Sequence, residues 1–164
     1  MKALKRIELK IDQWLAKFPP NQKRSGLIYA LHLLQEENGG WLKQEDLDWL
    51  ADYLELPKIA VYEVASFYTM YDLKPVGKYK VQVCMSVSCM LNGCDRLADH
   101  LKKKLKINWN ETSQDGLFTL KRVECLAACG GAPAFQINKD YHENMTEEKI
   151  DQILAELAKK DGAS

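Results

Sequence analysis

Four cysteines in two local pairs are the residues of this chain best suited to chemistry. Four residues separate Cys84 from Cys89, as Cys84-Met-Ser-Val-Ser-Cys89, and three separate Cys125 from Cys129, as Cys125-Leu-Ala-Ala-Cys129. Thirty-five residues separate the pairs. Two such pairs can grip a metal centre from two loops, and three kinds of chemistry compete for them. Structural zinc takes four thiolates in a tetrahedron, usually from spacings of two to four residues. These pairs sit at the upper end of that range, and the Cys-x-x-Cys knuckle usual in zinc ribbons is absent. A thiol oxidoreductase also wants Cys-x-x-Cys, to lower the pKa of its attacking thiolate. A [2Fe–2S] cluster takes two pairs, one per iron, on loops long enough to wrap the inorganic sulfides with backbone N–H donors. The small residues Ser86, Ser88, Ala127, Ala128, Gly130 and Gly131 suit such loops. Spacing alone leaves all three open.

The fifth cysteine, Cys94, is likewise separated from Cys89 by four residues and could replace Cys84 in a pair. It falls in line with Leu97, Ala98, Leu101 and Leu105 on one helix face, where a thiol packs as a small hydrophobe. The Cys-x-His signature of a Rieske site is missing. His32, His100 and His142 are scattered and read as surface or packing residues.

The elements that must position the thiols fall into two halves. Residues 1 to about 72 carry helical spacing: Leu27, Ala30, Leu31 and Leu34, then Leu47, Leu50, Ala51 and Leu54 after an acidic start at Glu45 and Asp46, then Ile59–Tyr71 with Ala60, Val64 and Tyr68 in step. Pro19-Pro20, Gly39-Gly40 and Pro57 punctuate these runs. Short helices cannot bury a face alone, so they should pack as a bundle. After the turn-rich Lys74-Pro75-Val76-Gly77 the pattern changes. Lys78–Cys84 alternates, Gly93–Lys106 is helical, Leu117–Val123 and Ala134–Asn138 are strands, and a short fourth strand can follow. Thr146 caps a last helix with Ile150, Ile153, Leu154 and Leu157 as its stripe. The expectation is a two-part α+β chain, residues 1–74 helical and 75–164 an α/β layout with helices covering a small sheet. Both cysteine pairs begin where a strand ends.

Composition narrows the function classes. The chain has 164 residues, 46% hydrophobic, enough for one domain or two small ones. Net charge is +0, which gives no footprint for nucleic acid. No run approaches the ~18 apolar residues of a membrane span, and the charged first 17 residues are unlike a secretory signal. A soluble chain in a reducing compartment follows, where clustered cysteines are metal or redox groups rather than disulfides.

Several motifs in order then match a known family. Val64-Ala65-Ser66-Phe67-Tyr68-Thr69-Met70-Tyr71, Pro75-x-Gly77, Val83-Cys84-x4-Cys89-x3-Gly93 and Val123-Glu124-Cys125-Leu126-Ala127-Ala128-Cys129-Gly130-x-Ala132-Pro133 resemble the 24 kDa subunit family of respiratory complex I, from about residue 10 to the last helix. The resemblance implies a helical N-terminal part followed by a thioredoxin-like ferredoxin domain. It implies that Cys84, Cys89, Cys125 and Cys129 ligate one [2Fe–2S] cluster, and that FMN and NADH belong to a larger partner flavoprotein. It also implies a side-branch electron relay in the peripheral arm of a membrane-bound complex, on its cytoplasmic side, or the matrix side in a mitochondrion. Two positions depart from the pattern: Ala127 stands where glycine is common, and Cys94 is not a family ligand position. The chain has no Gly-x-Gly-x-x-Gly stretch for a dinucleotide of its own. The same motifs also suit the small subunit of a soluble NAD-linked hydrogenase or formate dehydrogenase. A zinc-stabilised interaction module without redox activity is the reading from a different class. Phe67, Tyr68, Met70 and Tyr71 carry more aromatic and apolar bulk than one helix face usually buries, so the helical half reads either as packed core or as a docking module.

Overall fold

The structure, a computed structural model, describes residues 2–162. It divides into two compact units, Met1–Pro75 and Val76–Ser164.

Among its described residues the first unit contains four α-helices, α1 (Lys2–Leu15), α2 (Leu27–Glu37), α3 (Gln44–Leu54) and α4 (Lys58–Phe67). Ile7 and Ile11 of α1, four apart and so on one face, are buried with Leu27, Leu31 and Leu34 of α2 and Leu47, Leu50 and Leu54 of α3. The acidic start of α3 works as a cap: the Asp46 carboxylate accepts the Lys43 N–H at 3.3 Å and the Asn38 side-chain amide at 2.5 Å. The expected helix Ile59–Tyr71 ends early, at Phe67, and Tyr68 is extended. The reason is tertiary. Gln35, buried on α2, donates to the Met70 carbonyl at 3.0 Å and accepts the Asp72 N–H at 2.8 Å, while the Tyr71 hydroxyl donates to the Ile28 carbonyl at 2.8 Å. The Met70 carbonyl and the Asp72 N–H are thus committed to α2 instead of to another helical turn. The aromatic cluster divides accordingly: Tyr71 is core at 4% exposure, and Phe67 stands out at 77%.

The second unit is a four-stranded sheet in the order β2-β1-β3-β4, with β1 (Tyr79–Cys84), β2 (Phe118–Val123), β3 (Phe135–Ile137) and β4 (Asp140–His142). The β1–β2 pair is parallel; β1–β3 and β3–β4 are antiparallel. A parallel neighbour requires a crossover. It runs through α5 (Val87–Leu91) and α6 (Cys94–Leu105), and α7 (Glu147–Gly162) follows β4. The alternation expected of β1 gives way in its second half, where Val81, Gln82, Val83 and Cys84 are all buried. Interior strands are flanked on both edges, and Gln82 lies between Lys121 of β2 and Gln136 of β3. Val81, Val83, Leu97, Leu101, Leu120, Phe135, Ile150 and Leu154 form the core.

Thr146 caps α7 as expected, its hydroxyl accepting the Lys149 N–H at 3.3 Å. His100 joins α6 to α7, with Nε2 2.9 Å from Asp151 and Nδ1 3.5 Å from Glu147. Gly77 is a packing requirement. Its N–H donates to Thr119 Oγ1 at 2.6 Å, and a Cβ there would stand 2.8 Å from the Leu117 carbonyl oxygen.

Leu120 is fully buried at the middle of β2. Leu120→Ala is expected to destabilise the second unit by about 2–5 kcal/mol, read from its transition in urea denaturation. A loss below about 1 kcal/mol would show that this sheet face is not the core.

Candidate metal centre

Both cysteine pairs lie at one end of the sheet because β1 and β2 run parallel. Their register pairs Cys84 with Val123, so both strands deliver their chains to the same edge, and Cys125 follows two residues later. The Met85 N–H donates to the Val123 carbonyl at 3.0 Å and the Cys84 N–H to the Ala134 carbonyl at 3.2 Å. The first ligand-bearing segment is thus held between the beginning and the end of the second.

The segments differ from the two loops expected. Cys84 is the last residue of β1, and Cys89 sits inside α5, a one-turn helix. Cys125 lies in irregular chain, and Cys129 opens the 3-10 turn Cys129–Gly131. The first pair is buried, Cys84 at 3% exposure and Cys89 at 2%, whereas Cys125 and Cys129 are exposed. Within the second pair the sulfurs are 3.9 Å apart. A tetrahedral metal bound at about 2.3 Å separates two thiolate sulfurs by about 3.8 Å, so this spacing already suits one metal ion. Among the described residues no three His, Cys, Asp or Glu side chains converge as they would around a single ion. The thiols come as two pairs, Cys84 with Cys89 in one buried cluster and Cys125 with Cys129 outside it.

Backbone N–H groups are aimed at the sulfurs. The Ala127 N–H donates to Cys125 Sγ at 3.3 Å. Burial opposes ionisation of Cys84, but the N–H groups of Ser86 and Leu126, with the Cys89 thiol, outweigh it and hold its pKa below the usual thiol value. The Leu126 donor belongs to the second segment, so one peptide ties the two pairs together. Cys89 is pushed up to about 11, by burial first; the Ala134 backbone opposes this and the neighbouring Cys84 adds to it. The pair therefore holds one thiolate more readily than two. A metal supplies the positive charge that ionises both.

Cys94 packs, completely buried, in one small cluster with Cys84, Cys89 and Ala134, and burial raises its thiol pKa. It opens α6 on the face that also buries Leu97, Ala98 and Leu101. His32 lies in α2, and His142 in β4. Backbone donors around the sulfurs are expected from the sequence, and Ala127 stands where glycine is common; which peptides donate is visible only in the structure. Ala127 has φ +58°, the left-handed region that disfavours a Cβ and makes glycine the usual occupant.

Two outcomes follow for the metal-free chain. Iodoacetamide at pH 8 is expected to modify Cys125 and Cys129 about tenfold or more faster than Cys84, Cys89 and Cys94, as mapped by peptide mass spectrometry. Equal rates at all five would contradict the burial pattern. Ala127→Gly is expected to raise stability by up to about 1 kcal/mol, relief of left-handed strain exceeding the added chain entropy. A lower melting temperature would count against that strain.

Comparison with known proteins agrees with this geometry. Residues 11–158 match the family model described as thioredoxin-like [2Fe-2S] ferredoxin. The E-type subunit of NADH-quinone oxidoreductase from Rickettsia felis is 46% identical over 144 residues, covering 88% of this chain and 86% of that one. NADH dehydrogenase [ubiquinone] flavoprotein 2, mitochondrial, of Dictyostelium discoideum is 39% identical over 149 residues, 91% of this chain and 60% of that one. A solved NAD+-reducing [NiFe]-hydrogenase in the air-oxidized state shares the fold with a TM-score of 0.71 at 23% identity; the match covers 82% of this chain and 23% of the hydrogenase chain. With its paired thiols at the end of a mixed sheet and a family match along nearly its whole length, this chain belongs to the thioredoxin-like [2Fe-2S] ferredoxin family.

Proposed function

We propose that this chain is the electron-transfer subunit of an NADH:quinone oxidoreductase and that Cys84, Cys89, Cys125 and Cys129 hold its one [2Fe–2S] cluster. The carrying observation is the delivery of two thiol pairs to one sheet edge by parallel β1 and β2, with peptide N–H groups turned to their sulfurs. The donor set fits the group: four thiols in two pairs, small residues between them, and N–H donors for an anionic centre. Such a cluster, when bound, takes up and releases one electron at a time.

The residues of this chain bind and orient that centre and set its potential through burial and hydrogen bonds to sulfur. Hydride chemistry delivers two electrons, so the pair must be split on a flavin, which the proposal assigns with NADH to the partner flavoprotein. Residues 1–74 serve as a helical bundle that docks on that partner, and residues 75–164 as the ferredoxin domain. Exposed Phe67 and Ile59 on α4 support the docking role. Among the described residues no helix is long and apolar enough to cross a membrane, which agrees with a place in the peripheral arm. The relatives at 39–46% identity favour complex I over the hydrogenase reading, whose structural likeness at 23% identity speaks for the fold alone.

Purified aerobically, the protein is expected to be red-brown, to contain two irons and two acid-labile sulfides per chain, and to give a rhombic EPR signal after dithionite. Colourless protein with stoichiometric zinc would sink the cluster reading. Cys89→Ser is expected to lose the signal and Cys94→Ser to keep it; loss in both variants would mean that the pairs are wrongly assigned.

A further inference from the structure

The ligand segment that carries Cys129 is covered by a short strap, Glu143–Met145. The Asn144 N–H donates to the Gly131 carbonyl at 2.6 Å and the Met145 N–H to the Pro133 carbonyl at 3.1 Å. These bonds lay Glu143 directly on Gly131, the last residue of the Cys129 turn. A Cβ at Gly131 would overlap Glu143 Oε2 and stand 2.6 Å from the Glu143 Cβ and Cδ. Gly131 is itself buried and has an ordinary φ, so the missing side chain is explained by the acid that occupies its place rather than by backbone conformation. The strap is fixed at its far end too: Lys149 Nζ donates to the Asn144 carbonyl at 2.8 Å, and α7 begins immediately after it. A carboxylate is thus held against the turn of the exposed ligand pair, two residues from Cys129.

We infer that Glu143 is a positioning charge for the proposed cluster, a fixed carboxylate that lowers its reduction potential. The inference rests on the cluster reading above. Reduction adds one electron and converts one Fe(III) to Fe(II), with no bond made or broken. The four-thiolate centre is anionic already, so a nearby negative charge opposes the added electron. Packing alone does not require an acid here, since glutamine has the same shape. What distinguishes glutamate is its charge, and although Glu143 is exposed, the strap's backbone bonds seat it against Gly131. Lys149 lies next along the strap and offsets part of the field, but it is present in wild type and glutamine variant alike.

The test is Glu143→Gln in the full chain, loaded with cluster, with the midpoint potential followed by EPR in a dithionite titration. Iron content is expected to stay at the wild-type value. At a fixed ambient potential the ratio of reduced to oxidised cluster is expected to rise about two- to tenfold, the range for one unit charge acting through a partly wet site. The difference between variant and wild type should shrink at high salt, because the field of an exposed charge is screened. A role confined to shape would leave Glu143→Gln at the wild-type midpoint, and that result overturns the inference. Glu143→Ala serves as the control for shape, and its midpoint should move in the same direction as that of Glu143→Gln. A variant that shifts the midpoint equally at low and high salt would also overturn it. Failure of the cluster reading is separate and visible in the same samples, since wild-type protein would then hold no iron to titrate.

Discussion

The parallel pairing of β1 with β2 is the constraint on which the rest of the second unit depends. An antiparallel neighbour would send the two strands out at opposite edges and place Cys84 and Cys125 about a strand length apart. The parallel register brings Cys84 level with Val123, and each ligand segment then needs only a few residues to face the other. That geometry costs chain length, because a parallel neighbour is reached only by a crossover. The crossover is used: its first turn, α5, carries Cys89, and its long helix, α6, packs Leu97 and Leu101 under the sheet. Ligand placement and core formation are therefore tasks of one connection.

The two thiol pairs reach this edge in different electrostatic states. Cys84 and Cys89 are buried, and their neighbours favour one thiolate between them; Cys125 and Cys129 face solvent. Burial alone would keep the first pair neutral. The N–H groups of Ser86 and Leu126 counter that at Cys84, so the interior pair is prepared for a cation by peptides rather than by charged side chains. No lysine or arginine is needed beside it. A permanent cation there would stabilise the thiolates but would also bias any redox couple they hold.

Much of this was legible in the sequence, and the misses share one cause. Periodicity located Leu47, Leu50 and Leu54, the Thr146 cap and the four strands, because those signals are local. It extended the fourth helix through Tyr71, since nothing local reveals that Gln35, half the unit away along the chain, binds the backbone on both sides of Tyr71. It made Lys78–Cys84 alternate to its end, since a period of two does not tell an interior strand from an edge. The paired cysteines were visible as residue types. The helix under Cys89, the difference in burial between the pairs and the contact of Glu143 with Gly131 were not, because each is fixed by a segment distant in sequence.

The conformation of Ala127 follows from what the second segment must do. Cysteines four apart on a helix would also share a face. A helix already running when it reached Cys125, however, would commit the Leu126 and Ala127 N–H groups to carbonyls four residues back and leave neither for a sulfur. An anionic four-sulfur centre needs those donors. The chain between Cys125 and Cys129 leaves the helical path, with Ala127 at φ +58°, and this frees the Leu126 N–H for Cys84 and the Ala127 N–H for Cys125. A left-handed alanine costs about 1–2 kcal/mol, and each hydrogen bond to a charged sulfur contributes about 1.5–3 kcal/mol. Two such bonds outweigh the strain, so an irregular backbone is the lower-energy solution at this position once the sulfurs are ionised.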